Sequence, residues 1–523
     1  MCDTERSLAN SLSASIAVAL RRSEFWLVGL LFTGAFVYVA SFPPNLSASD
    51  EGLYLYEAKR IVEGQALYRD IFELVTPAAW YLMAGCFWLF GVSMATARLV
   101  TAVIHASITV VTYATCRVVA VRPMLSLAAA CSFLALCQPV WPYASPHWLS
   151  TLITQGLLLA LLRRQSFHGP RAPVLVGVLA GILICVQQQK GVVIGAGVAI
   201  VLVVDALLDG VTAARPLMRT ILTYALGIVV AVVPILSSSI ANAGLQPVVR
   251  ALVVHPLFNY QRSFHSDWGE VGWGTGDLAL YTFPLALKYS PALLPLAVVW
   301  AIVSWRRQRW RELRMLMTIG GFAVFSTLSI AYYPDFIHIA FIAPVFLTLL
   351  AWLLERPIER IKKSTAPVVI MGCIHGAILV VLALQLRHNW LRSQEQYRLS
   401  YMTAFGRVNF ERQSDIQMIE RVNQLLADVP SRELFIYQGY PSLYLTTASI
   451  NPTPFQLLIP GYNAPDQFRE VQSVLDARRV RYVLVVGLFI RPSDPFIPYL
   501  NQHYRQIDSR IPGIFLYERS DRA

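Results

Sequence analysis

Charge is scarce in this 523-residue sequence: 14% of its residues are Asp, Glu, Lys or Arg, against about a quarter in soluble domains. With 56% hydrophobic residues and a mean hydropathy of +0.52, that scarcity excludes an ordinary soluble protein. Cysteine is sparse too. The seven present lie mostly inside apolar runs and none follows Cys373, which excludes a disulfide framework and a thiolate metal site. There is no internal repeat and no low-complexity tract. The one glycine-rich string, "GEVGWGTGD" at 269–277, follows no evident strand and opens no clear helix, so it reads as a flexible external loop and not as a dinucleotide or phosphate loop.

What is present is a series of long apolar runs, among them "FWLVGLLFTGAFVYVASF" (25–42), "ILTYALGIVVAVVPIL" (221–236) and "APVVIMGCIHGAILVVLALQL" (366–386). Each comes near the roughly 20 residues a helix needs to cross a bilayer. About twelve such segments precede Leu386, so the chain is an integral membrane protein of about 11–13 transmembrane helices. The first run follows Arg21 and Arg22 and carries bulky Tyr38 close to any cleavage point near Ala40, so it is expected to be a retained, spanning anchor.

The 43 basic residues exceed the 31 acidic ones by 12. In a soluble protein that excess would suggest nucleic acid, but here the arginines cluster between apolar runs, in "RRQRWRELR" (306–314), "ERPIERIKK" (355–363), Arg163 with Arg164, and Arg215 with Arg219. This is the positive-inside pattern, and no nucleic-acid partner is expected. Placing those loops in the cytoplasm puts Trp141–His147, 241–277, 333–335 and everything after Leu386 outside, and counting forward from Arg21 and Arg22 puts Asp50 and Glu51 outside too. An inside amino terminus and an outside carboxyl terminus require an odd number of crossings, which the even count does not give. One segment in 77–146 is therefore split, re-entrant or merged.

After Leu386 the composition turns polar and basic, and alternating elements follow. "ELFIYQ" (433–438) reads as a buried strand, "APDQFREVQSVLDARRV" (464–480) as an amphipathic helix, "RYVLVVG" (481–487) as a strand and "GIFLYER" as a last one. The expected organisation is a membrane domain over 1–386 and a small extracytoplasmic α/β domain over 387–523.

Several polar groups fall at the outer ends of apolar helices. Asp50 and Glu51 sit side by side in "NLSASDEGLYLYEAKRIVEGQALYRD" (45–70), where two carboxylates can serve as a general base, hold a divalent cation, or stand as solvated loop acids. Glu73 lies just before Pro77, which opens the next apolar segment. "ILICVQQQKGVV" (182–193) places Lys190 and three glutamines at a helix end, where an ammonium meets lipid phosphate or snorkels to the interface. His147 stands beside Trp148 as a site residue or a member of the interfacial aromatic belt. "VVHPLFNYQRSFHSDW" (253–268) gathers His255, Tyr260, Arg262, His265 and Asp267, a mixture that suits phosphate and a sugar face as well as a plain surface loop. In "YYPDFIHIAFIAP" (332–344), Asp335 and His338 fall three apart on one helical face, although an aspartate there also caps helices.

From Asp50 to Leu99 the sequence resembles the first external loop and second helix of the GT-C glycosyltransferases, which include the protein O-mannosyltransferases and the aminoarabinose transferases. The resemblance rests on Asp50-Glu51, the Gly-x-x-x-Tyr stretch Gly64–Tyr68, Pro77 with Tyr81, Phe90-Gly91-Val92-Ser93, and Arg98. It implies a multi-pass enzyme of the bacterial inner (plasma) membrane. Such an enzyme moves a hexosyl or pentosyl group, with inversion, from a polyprenyl-phosphate sugar to a glycan, lipid or protein acceptor on the extracytoplasmic side. It makes Asp50 the catalytic base and Glu51 its neighbour in the site. Lys190-Gly191 resembles a Lys-Gly of the aminoarabinose transferases, and the Asp335–His338 pair resembles an acid-then-His pair of bacterial members. Two departures stand out: Thr76-Pro77 replaces the family's Lys-Pro, and His147 takes the place of an acid at the outer end of a middle helix.

Expected substrate contacts are therefore Lys190, His147, His255, Tyr260, Arg262, Asp335, His338 and Glu73, with Mg or Mn at Asp50 and Glu51 if a metal is used at all. A transporter or flippase of lipid-linked sugars would use the same groups for binding alone. The lack of an inverted repeat and the grouping of the polar residues on one face count against it.

Overall fold

The computed structural model describes residues 24–164, 171–210, 213–259, 266–270, 282–360, 365–486, 494–507, 509, 511 and 513–520. Among them six helices are long and apolar enough to cross a membrane: Met94–Val118, Pro123–Val140, Gln188–Leu208, Ala214–Ala243, Phe336–Arg356 and Ile370–Gln396. Shorter apolar helices, Glu24–Ala40, Ala78–Phe90, Ala172–Val186 and Ser290–Arg306, complete the bundle together with Pro146–Arg164 and Trp310–Ser329. Local chemistry sets several of their ends. Ser93 caps Met94–Val118, its hydroxyl accepting from the Thr96 N–H at 3.2 Å. The Pro123 helix loosens through a π turn at Phe133–Cys137 and a 3-10 turn at Gln138–Val140, where Pro139 lacks an N–H.

The helix ends sort onto two faces. One face is basic and cross-tied by Arg117 to Glu24 (2.5 Å), Arg122 to Glu355 (2.9 Å) and Arg314 to Asp209. The other carries the helix Asp50–Val62 and the C-terminal domain.

The helix Ala78–Phe90 keeps both ends on this second face. Before its start Thr76 N–H donates to Gln188 Oε1 (3.0 Å), and beyond its end Met94 N–H donates to the Phe405 carbonyl of the C-terminal domain (2.8 Å). Its 13 residues span about 20 Å, short of a hydrocarbon core of about 30 Å. It lies within 77–146, the stretch where the parity of the crossings calls for a split, re-entrant or merged segment.

The helix begun at Thr365 continues to Gln396 and leads into a hairpin of β1 (Leu399–Thr403) and β2 (Gly406–Phe410). A four-stranded sheet follows, ordered β3-β4-β6-β5, with β3 (Phe435–Tyr437) parallel to β4 (Tyr482–Val486) and β6 (Ile514–Arg519) antiparallel to both β4 and β5 (Tyr504–Ile507). The expected strands at 433–438 and 481–487, the last strand and the helix Pro465–Ala477 are all present. A parallel pair needs a crossover, and that helix lies in it.

The domain does not hang free of the bundle. Tyr56 stacks on Tyr444 with ring centroids 4.7 Å apart, its hydroxyl accepts from Asn451 N–H (2.9 Å), and Asn409 N–H donates to the Pro44 carbonyl (2.9 Å).

Candidate active site

Between the domain and the bundle lies a cavity of about 2070 Å³. That exceeds the roughly 300–1000 Å³ of a drug-sized ligand site, leaving room for two substrates. Asp50, Glu73, His147, Asp335 and His338 line it, so five groups from four separate stretches of sequence converge there.

Asp50 opens its helix with Glu51, and Lys59 and Arg60 close it, a charge order that complements the helix dipole. Its side chain meets the water of the cavity, while the surrounding walls raise its carboxyl above the usual aspartate range. The Ser49 hydroxyl and His338 oppose that rise. Glu51 points the other way. It is fully buried, grips Arg98 with both oxygens (2.5 and 2.9 Å), and accepts from the Ala144 N–H (2.7 Å) and Ser47 N–H (3.0 Å). With its oxygens so committed, Glu51 holds the loop around Asp50 and does not join it in presenting a cation site. Among the described residues no group of three or more His, Cys, Asp or Glu gathers to hold a metal ion.

A polar chain runs along one wall. Lys190 donates to the Ser150 hydroxyl (3.0 Å) and lies near that of Thr151 (3.4 Å), Ser150 meets Gln187 Oε1 (3.0 Å), and the Gln187 amide meets His147 Nδ1 (3.0 Å). The His147 ring stands edge to face with His338 at 4.9 Å and stacks on Phe341 at 4.7 Å. His338 Nδ1 in turn meets Asp335 Oδ1 at 2.7 Å. Lys190 is thus buried behind this wall, and Gln187, Gln188 and Gln189 line the cavity in its place.

Glu73 brings a partner that the sequence reading missed. Glu57, fully buried on the Asp50–Val62 helix, shares a hydrogen bond with Glu73 and accepts from Trp80 Nε1 at 2.6 Å. Burial and mutual repulsion push Glu57 well above the glutamate range, and burial raises Glu73 to about 7. The spacing from Glu51 to Glu57 carried no signal, because only the fold brings Glu73 opposite it.

His255 is buried with its Nε2 against the Tyr462 carbonyl (2.9 Å) and its ring edge-on to Phe72. It therefore joins its segment to the domain instead of lining the cavity. Tyr260 and Arg262 lie outside the described residues, as do His265 and most of 269–277. The opposite wall holds groups that no local pattern announced: Arg392 from the end of the helix Thr365–Gln396, and Arg412, Asp415 and Tyr440 from the domain.

No protein-family model and no curated protein matches the sequence. Solved structures similar to the chain include the crystal structure of ArnT from Cupriavidus metallidurans bound to undecaprenyl phosphate, at 12% identity and a TM-score of 0.59 over 94% of this chain and 97% of that one. The apo crystal structure of the same protein is similar at 14% identity and a TM-score of 0.58, over 95% and 98%. With its apolar bundle, its small α/β domain and a likeness to ArnT over nearly the whole of both chains, this protein has the fold seen in the ArnT structures.

Proposed function

We propose that the protein is a membrane glycosyltransferase that moves a hexosyl or pentosyl group from a polyprenyl-phosphate donor to a glycan, lipid or protein acceptor at the extracytoplasmic face of the inner membrane. The observation that carries this reading is the convergence of Asp50, His147, Asp335 and His338 on one large cavity at the membrane face that bears the C-terminal domain. The undecaprenyl phosphate in the ArnT structure supports a lipid phosphate as the donor's carrier. A polyprenyl tail stays in the bilayer, so a headgroup pocket at this level lets the donor react without leaving it.

In this mechanism Asp50 accepts the proton of the acceptor hydroxyl. The hydroxyl oxygen attacks the anomeric carbon from the side opposite the phosphate, which inverts the centre and releases polyprenyl phosphate. The rise in the Asp50 carboxyl suits a base that must bind a proton in the transition state. Glu51, locked to Arg98, fixes the helix start that aims Asp50, and Lys190 acts at a distance, through Ser150 and Gln187 on His147.

The test uses purified protein in lipid nanodiscs with a labelled polyprenyl-phosphate sugar, and follows both transfer and release of lipid phosphate. Asp50→Asn is expected to cut transfer by about 10²–10⁴-fold with the melting temperature unchanged. Undiminished transfer in that variant would refute the assignment, and binding without turnover in the unaltered protein would favour a carrier of lipid-linked sugars.

A further inference from the structure

Thr76 stands where the resemblance sets a lysine, and Lys190 is 3% exposed and committed to Ser150 and Thr151. Arg98 lines the cavity, but both terminal nitrogens of its guanidinium are held by Glu51 and the Asn45 carbonyl. On the bundle side that leaves Arg392, on the helix that leads into the domain, and the His338 ring, which interacts with Asp50.

We propose that the Asp335–His338 pair holds the anion of the donor, as an imidazolium whose Nε2–H meets its phosphodiester. The inference rests on the lipid-phosphate reading above. Asp335 Oδ1 accepts from the His338 backbone N–H (2.8 Å) and faces its Nδ1 at 2.7 Å, so Nδ1 carries a hydrogen and the ring is fixed. Nε2 is left with the Tyr332 hydroxyl at 3.4 Å, a distance at which little hydrogen-bond energy is gained.

The ring sits among carboxylates and aromatic rings. Asp335 touches it and Asp50 interacts with it by charge, while His147, Phe341 and Tyr333 present rings 4.9, 6.0 and 5.6 Å away. A phosphodiester adds a further negative charge, and a neutral ring would turn its Nε2 lone pair toward that anion. Binding therefore draws one proton from solvent onto Nε2. When the bond from the anomeric carbon to oxygen breaks, its electron pair stays on the phosphate, whose charge goes from −1 to −2. The imidazolium faces that added charge while the acceptor's proton goes to Asp50.

Farnesyl methyl phosphate, a phosphodiester that stays singly charged near neutrality, serves as the probe. Its binding to the purified full-length protein is measured by calorimetry in Tris and in HEPES, whose different ionisation enthalpies report protons taken up. The expected result is binding with net proton uptake. His338→Gln should weaken binding about tenfold or more and abolish the uptake, and His338→Lys should restore binding without uptake. Asp335→Asn, which keeps the ring and loosens its orientation, should weaken binding with less uptake. Unchanged binding and uptake in His338→Gln would overturn the inference. So would transfer lost with binding intact, which would place His338 on the acceptor, or binding lost in Arg412→Gln instead, which would place the phosphate on the domain wall. If the unaltered protein does not bind the probe at all, the lipid-phosphate reading itself fails.

Discussion

Adjacent residues can take opposite parts when a helix begins between water and protein. Asp50 meets the cavity, whereas Glu51, one position on, is buried against Arg98. Removing one partner of such a pair strands a buried charge, so Glu51→Ala is expected to destabilise the protein by about 3–5 kcal/mol in thermal unfolding. A catalytic Glu51 would instead leave stability near that of the parent. The Glu57–Glu73 pair gives a pH signature of its own. Glu73 is raised from the ordinary 4.5 to about 7, so the folded state holds a proton that the unfolded state gives up between those values. That contribution is fully present below pH 4.5 and is lost as pH rises through about 7. Melting temperatures measured across this window should fall with rising pH, and Glu73→Gln should flatten the slope; a parent curve that rises with pH would contradict the shared proton.

At the scale of elements, the helix Asp50–Val62 joins the two domains. Its Gly52 lies so close to the helix Ser442–Thr447 that an added Cβ would come within 2.5 Å of the Ser442 nitrogen. That atom is backbone and has no rotamer to change, so Gly52→Ala is expected to pry the domain from the bundle, costing about 1–3 kcal/mol and exposing the 396–399 junction to protease. A variant as protease-resistant as the parent would show that the seam yields more easily than its geometry implies. Glycine serves the bundle likewise: Gly177 and Gly227 let the helices Arg171–Val186 and Ala214–Ala243 touch backbone to backbone, since a Cβ on either would collide with a carbonyl of the other.

Across the whole molecule, the basic face lies opposite the domain. With the arginine-rich loops in the cytoplasm, a cysteine introduced at Ser431 in a cysteine-free background should react with an impermeant maleimide on intact cells, and one at Gln308 should not. The reverse labelling would invert the proposed orientation. Ala78–Phe90 shows where hydropathy alone falls short: it is as apolar as a crossing helix, while its length and the contacts at both flanks tie it to one face.

The sequence by itself determined the membrane class, the main strands of the C-terminal domain and the polar groups that end apolar helices. Hydrophobic runs, alternating strand patterns and helix-start chemistry are local, and local patterns survive in a string of letters. Only the tertiary structure decided which of those groups share a cavity. Asp335, His338 and His147 are brought to Asp50, while Lys190 and His255 are turned away and Glu57 is set against Glu73. Side-chain direction and the partner across a gap depend on how helices far apart in the chain pack, and neither periodicity nor spacing encodes that.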